Sequence, residues 1–225
     1  DKNEKKIFYN YNHKSSSSLY KINKNFLRKF HNEKNFEIEN PQEITTTTLN
    51  SIFEKEKMLN VDFMQIDCEG AELDILKGAS KLLNNTLCIE SEILLQRNIR
   101  INAPSFSNLD DYLNTYNFSL YDLHLLRFSK VPGETKRHDY RDENGNKVPG
   151  PTLKGQLLAG DALYFKNMDL DEDYKNLTYE EIVKYIFLFE IFFMEDSAYD
   201  LINSSKEIIE KNTDRTYLEF LNFFY

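Results

Sequence analysis

Three carboxylates lie within six residues in the segment Asp67-Cys68-Glu69-Gly70-Ala71-Glu72. A carboxylate can remove a proton from a hydroxyl group, or it can hold a substrate by accepting its hydrogen bonds. Two neighbouring carboxylates can also bind Mg²⁺, which prefers oxygen ligands. A structural alternative is that Asp67 caps a helix and that Glu69 and Glu72 are acids of its first turn. The residue types alone leave both interpretations open.

The elements around this segment place it at the edge of a sheet. The apolar run from Val61 to Ile66 is typical of a strand buried on both faces, and a second strand is predicted from Leu87 to Leu95. Between them, one apolar stripe predicts a helix from about Gly70 to Asn84, formed by Ile75, Leu76, Ala79, Leu82 and Leu83. Strand, helix and strand at this spacing indicate a parallel βαβ unit, so the fold class is α/β. Ligands of open α/β sheets bind at the edge where the carboxylates lie.

Further strands and one helix are predicted on either side of this unit. Thr45 to Thr48 reads as a strand end that caps a short helix, since Leu49, Ile52 and Phe53 follow at helical spacing. Phe118 to Phe128 and Gln156 to Phe165 read as two antiparallel strands at the edge of the sheet, and residues 132–152 between them read as a loop.

The composition changes at Asp169, where a helical tail is predicted to begin. Thr178 and Glu181 have the spacing of a capping box ahead of the apolar run from Ile182 to Met194. That run falls short of the roughly 20 residues needed to cross a bilayer, so it reads as a buried helix. Its aromatic residues fit a core or a surface for an oligomer or another protein: Phe187, Phe189, Phe192 and Phe193.

The charge balance and the cysteines narrow the class of protein. A net charge of -9 argues against binding to nucleic acid or to anionic membranes, because both need clustered cations. Cys68 and Cys88 have no partners at metal-binding spacing, which favours a reducing cytoplasm but leaves a disulfide between them open. The first residue, Asp1, is not Met and no signal peptide follows it, so we expect the chain to start inside a longer protein.

Val61 to Leu83, reading VDFMQIDCEGAELDILKGASKLL, resembles the strand, "IDxEGxE" turn and "LKGA" helix of the FkbM family of S-adenosylmethionine-dependent methyltransferases. The flanking elements Ser16 to Leu19, Thr46 to Leu49 and Gly155 to Phe165 are similar to further parts of that family. The resemblance extends over about residues 7–167.

The resemblance implies a class I methyltransferase (Rossmann-like) sheet, partial, with antiparallel closing strands and a C-terminal helical tail. The domain portion would comprise residues 1–168 and the tail residues 169–225. Enzymes of this class hold S-adenosylmethionine with a glycine-rich turn, whereas the only glycines before residue 133 are Gly70 and Gly78. We therefore expect the cofactor-binding half, on the order of 100 residues, to precede this chain, and the chain by itself to be inactive.

The family resemblance also implies a function and roles for individual residues. The full protein would transfer a methyl group from S-adenosylmethionine to a hydroxyl group of a sugar or secondary metabolite. Asp67 or Glu69 would be the catalytic base or an acceptor that orients the substrate, with Glu72 and Glu92 as substrate-binding residues. Gly70 would allow close approach of the cofactor. Mg²⁺ is the weaker hypothesis, because no second ligand cluster is evident beyond Glu90 and Glu92.

A non-catalytic alternative belongs to a different class of function. In it, the chain is an α/β interaction or scaffold module whose helical tail binds another protein or a second copy. Binding of S-adenosylmethionine by the full-length protein separates the two hypotheses.

Overall fold

A computed structural model describes residues 3–30, 36–58, 60–130, 141, 143–146, 155–166, 168, 171–214 and 216–224. The chain divides into two units, one formed by Asp1–Tyr116 with Leu120–Tyr164 and the other by Asn117–Ser119 with Phe165–Tyr225. The first unit contains two sheets with helices between their strands, and the second is mainly helical. The assignment of residues 1–168 and 169–225 as functional domains remains a prediction.

The first sheet is an antiparallel pair of strands, β1 (Lys5–Tyr11) and β2 (Ile38–Thr45), in which Lys6 lies opposite Ile44. The short helix α1 (Lys24–Leu27) lies between them in the chain. After β2 comes α2 (Leu49–Glu56), which begins as predicted with a threonine cap. The Thr48 side chain accepts a hydrogen bond from the Ser51 amide at 3.1 Å, which satisfies a free donor of the first helical turn.

The second sheet is mixed and has four strands in the order β3, β4, β6, β5. These are β3 (Phe63–Ile66), β4 (Cys88–Leu94), β5 (Phe118–Phe128) and β6 (Gln156–Lys166). β3 and β4 pair in parallel and are joined through α3 (Glu72–Gly78), so the predicted βαβ unit and the α/β class are confirmed. The helix α4 (Phe106–Asn114) precedes β5, and β5 is adjacent to β6 as predicted. The predicted loop 132–152 lies mostly outside the described residues.

Two predictions for this unit are wrong. β3 is not buried on both faces: Phe63 is 36% exposed because β3 is an edge strand that pairs only with β4 among the described strands. The predicted helix from Gly70 to Asn84 is also shorter, since α3 ends at Gly78 and a separate 3₁₀ turn covers Leu82–Asn84. Four residues of the apolar stripe are nevertheless buried, because a bent backbone can direct the same side chains into one core: Leu76, Ala79, Leu82 and Leu83. Ile75 is half-buried.

The second unit contains the helices that follow β6: α5 (Asp171–Tyr174), α6 (Tyr179–Ile191), α7 (Glu195–Ser204), α8 (Lys206–Asn212) and α9 (Tyr217–Phe224). The capping box of Thr178 and Glu181 begins α6 as predicted. The aromatic residues of the apolar run from Ile182 to Met194 divide between two environments. Phe189 is buried with its ring centroid 4.5 Å from that of Phe165, whereas Phe193 is 84% exposed. No helix in the described part of the chain has both the length and the apolar character of a membrane span.

Candidate functional site

The carboxylate segment forms a tight turn between β3 and α3. Glu69 and Gly70 both have a positive φ, of 57° and 99°, and together they reverse the chain before α3 begins at Glu72. The N-cap of α3 is Ala71, without a side-chain hydrogen bond. The structural alternative in which Asp67 caps the helix is therefore wrong, because the turn separates Asp67 from the helix start.

Glu72 stabilises this turn through hydrogen bonds to its backbone. Its side chain is buried, and its Oε1 accepts hydrogen bonds from the backbone amides of Cys68 at 2.8 Å and Gly70 at 3.1 Å. Burial raises the pKa of Glu72, while these amide donors favour the charged form. One carboxylate oxygen thus satisfies two backbone donors of the turn. A contact between Glu72 and a substrate remains a prediction.

Gly70 is required here for two local reasons. Its φ of 99° is strained for any residue with a side chain, and a Cβ atom would lie 3.0 Å from Cδ of Arg100 and 3.3 Å from Cβ of Ala103. The residue is buried. The conformation and packing of the turn therefore demand glycine even without a ligand, and the predicted approach of a cofactor at Gly70 remains untested.

Arg100 is the residue of this site that the sequence did not indicate. Its guanidinium is buried and pairs with the carboxylate of Glu69. Nη1 donates to the carbonyl of Tyr20 at 3.0 Å, and Nη2 donates to the carbonyl of Ser16 at 3.1 Å. Arg100 follows the polar run Gln96-Arg97-Asn98, which is typical of an exposed loop. No local pattern marks it, because its three acceptors come from distant parts of the chain.

The loop containing Ser15 to Ser18 is bound to the same turn by a second contact. Ser18 is buried, and its hydroxyl donates to the carbonyl oxygen of Glu69 at 2.8 Å. Together with Arg100, this hydrogen bond fixes both the backbone and the side chain of Glu69. The carboxylate of Glu69 is therefore fixed in position and paired with a buried cation.

Glu92 is a carboxyl group that holds its proton at neutral pH. Burial and, to a smaller extent, the negative charges of Glu69, Glu72 and Asp67 together raise the pKa of Glu92 to about 9, against the opposing effect of Arg100. Its Oε2 is buried and has no hydrogen-bond partner among the residues that the structure describes. The group on β4 thus offers a neutral carboxyl near the turn, where the sequence suggested a charged one.

Asp67 differs from the other carboxylates because it is exposed. Its side chain makes no hydrogen bond to any other residue in the described ranges, so its oxygens are available to a ligand. Cys68, the next residue, is also exposed, and its thiol is free, as is that of the buried Cys88. Burial and the charges of Glu72 and Asp67 raise the pKa of the Cys68 thiol, which keeps it in the neutral form. Within the described residues, no group of three or more His, Cys, Asp or Glu side chains is arranged to hold a metal ion.

The predicted site residues thus separate by environment. Glu69, Gly70, Glu72 and Glu92 surround the buried Arg100 or support the turn, whereas Asp67 is exposed to solvent.

A comparison with family models gives a match to the methyltransferase FkbM domain over residues 1–120. Curated proteins and solved structures give no match.

Proposed function

Because the chain belongs to the FkbM methyltransferase domain family, we propose that the protein is an S-adenosylmethionine-dependent O-methyltransferase acting on a hydroxyl group of a sugar or secondary metabolite. The observation that supports a catalytic role most directly is Asp67, an exposed carboxylate at the carboxyl end of β3. The parallel pair β3 and β4 with its helix α3 supports a Rossmann-like class I sheet, whose ligands bind at this edge.

The residues present suit the charge of the cofactor. S-adenosylmethionine supplies an electrophilic methyl group on a cationic sulfonium. A turn with several carboxylates provides a negative local field, which favours a cation beside it. Asp67 is the residue of this chain that we assign to that side of the site, because the charge of Glu69 is already paired with Arg100.

Asp67 is the group that we assign as the base. Methyl transfer needs an aligned hydroxyl oxygen and an acceptor for its proton. Glu69 is less suited to take the proton, because its carboxylate is already engaged by the guanidinium of Arg100. Asp67 has no such partner within the described residues, and its oxygens can accept the hydroxyl hydrogen directly.

Glu72 and Glu92 serve this reaction in different ways. Glu72 holds the amides of Cys68 and Gly70, so it is a positioning residue for the turn. Glu92 carries a proton at neutral pH, so it would bind an acceptor by donating a hydrogen bond rather than by charge. We further propose a cytoplasmic enzyme whose acceptor is a small molecule or glycan, without nucleic acid or membrane partners.

The experiment that tests this function uses the full-length protein with methyl-tritiated S-adenosylmethionine and a panel of sugars and hydroxylated secondary metabolites. We expect saturable cofactor binding by isothermal titration and transfer of label to an acceptor oxygen, with one equivalent of S-adenosylhomocysteine formed. A full-length protein that binds no S-adenosylmethionine would overturn the proposal and favour the non-catalytic interaction module.

A further inference from the structure

A cavity of about 320 Å³ lies between the first sheet and α3. We call it the β1–β2 cavity. Its volume is at the lower end of the range for small-molecule sites. Its hydrocarbon lining comes from β1, β2, the serine-containing loop after β1, α2, and α3 with its N-cap: Phe8, Leu19, Ile44, Leu49, Ala71 and Ile75.

One face of the first sheet, formed by β1 and β2, lies toward this cavity. Lys6 and Phe8 of β1 line it, as do Ile44 of β2 and Thr46 just beyond that strand, and Lys6 lies opposite Ile44 in the strand register. Ile7 lies between the two lining residues of β1 and is 43% exposed. Since side chains alternate across a strand, Ile7 belongs to the opposite face.

The ammonium group of Lys6 on the cavity lining is engaged by two carboxylates. Nζ of Lys6 lies 3.2 Å from a carboxylate oxygen of Asp74 and 3.2 Å from one of Glu4. The same oxygen of Asp74 accepts a hydrogen bond from the Tyr20 hydroxyl at 2.8 Å. The lysine of the lining is therefore not free to recognise a phosphate or an acidic sugar.

Two of the three threonine hydroxyls of the lining are engaged within the protein, and the third belongs to the exposed Thr47. The Thr46 hydroxyl donates to the carbonyl oxygen of Glu4 at 2.9 Å, and the Thr48 hydroxyl caps α2. A free sugar carries a hydroxyl on most of its carbons, and burying those groups without partners is unfavourable. An apolar ring meets no such penalty and gains from the hydrocarbon walls.

The cavity reaches the carboxylate turn, because Cys68 and Ala71 belong to its lining. Cys68 directly follows Asp67 in the chain, so the lining includes the neighbour of the proposed base but not Asp67 itself. An acceptor in the cavity would therefore extend past Cys68 to bring its hydroxyl group to Asp67.

We propose that the β1–β2 cavity binds the apolar part of the methyl acceptor, and that the acceptor is a hydroxylated aromatic or alicyclic compound rather than a free sugar. This inference rests on the proposed function and narrows its substrate class. The apolar ring occupies the cavity and its hydroxyl group is directed to Asp67.

Equilibrium dialysis of the full-length protein tests this assignment with 2-naphthol, a neutral hydroxylated aromatic compound, and with methyl glucoside as the sugar probe. We expect 2-naphthol to bind and methyl glucoside not to bind. Ile44→Trp fills the cavity and should weaken 2-naphthol binding by about tenfold or more. Ile7→Trp adds the same ring on the opposite face of the first sheet and should leave binding unchanged.

A second variant keeps the test informative if Ile44→Trp does not fold. Thr47 lines the cavity but is exposed, so Thr47→Trp obstructs it without disturbing buried packing, and it should weaken 2-naphthol binding as well. Wild-type binding of 2-naphthol retained in both Ile44→Trp and Thr47→Trp, or preferential binding of methyl glucoside, would overturn the cavity assignment. Absence of S-adenosylmethionine binding is measured separately and would overturn the proposed function instead.

Discussion

Arg100 and Glu69 form an ion pair at the centre of the candidate site, with the Arg100 side chain 2% exposed and the Glu69 side chain 26% exposed. The same guanidinium binds the carbonyls of Ser16 and Tyr20. One buried cation thus joins the turn after β3 to the serine-containing loop that follows β1. The position of Glu69 depends on this contact, because its positive φ is otherwise unfavourable.

Replacing Arg100 with methionine should therefore destabilise the protein. Removal of one partner of a buried pair leaves the other charge uncompensated, which costs about 3–5 kcal/mol. The free energy of unfolding, measured by urea denaturation, should fall by about that amount. Arg97→Met removes an arginine from an exposed position nearby and should change the stability by no more than about 0.5 kcal/mol. Equal losses in the two variants would show that the buried pair has no special role.

Gly70→Ala should be more costly than the same change at Gly145. Both residues have a positive φ, of 99° and 80°, so both variants carry backbone strain of about 1–2 kcal/mol. Only at Gly70 does the new Cβ meet a neighbour, Cδ of Arg100 at 3.0 Å, which its hydrogen bonds prevent from moving. This overpacking should add about 1–3 kcal/mol. Comparable unfolding midpoints for the two variants would contradict the packing at Gly70.

Glu92→Gln should increase stability at alkaline pH. The folded-state pKa of about 9 lies above the ordinary value, so between those two pH values the folded protein holds a proton that the unfolded chain has released. The stability of the wild type consequently falls as the pH rises through that window. Glutamine resembles the protonated carboxyl group and cannot ionise, so relative to the wild type the variant should gain about 1.4 kcal/mol for each pH unit across this window and almost nothing at pH 4.

Thermal unfolding of the Glu92→Gln variant from pH 4 to pH 9 measures this difference. Glu90→Gln makes the same charge change two residues earlier on β4 and serves as the matched control. A Glu92→Gln variant whose stability follows the wild type across the whole range would mean that the Glu92 carboxyl is ionised in the folded protein at neutral pH.

Much of the fold follows from local sequence signals. Thr48 and the pair Thr178 and Glu181 mark helix starts because capping depends on residues only three positions apart. The parallel pair of β3 and β4 was also predictable, since an apolar run, a helical stripe and a second apolar run allow few arrangements.

The remaining features depend on contacts that no local pattern encodes. The exposure of Phe63 is decided by the number of strands that pair with β3. The burial of Arg100 requires acceptors at Ser16, Tyr20 and Glu69, which are far apart in the sequence. Glu72 was predicted as part of the site, but its hydrogen bonds to the turn's own amides could not be inferred without the backbone geometry.

The most direct test of the central claim is the initial rate of S-adenosylhomocysteine formation by the full-length protein at saturating cofactor and acceptor. Asp67→Asn retains the size of the side chain but cannot accept the proton, so the rate should fall by about 10²–10⁴-fold with unchanged affinity for S-adenosylmethionine. Asp122→Asn removes an equivalent charge from an exposed position on β5 and should retain the wild-type rate. A fully active Asp67→Asn enzyme would contradict the assignment of Asp67 as the base.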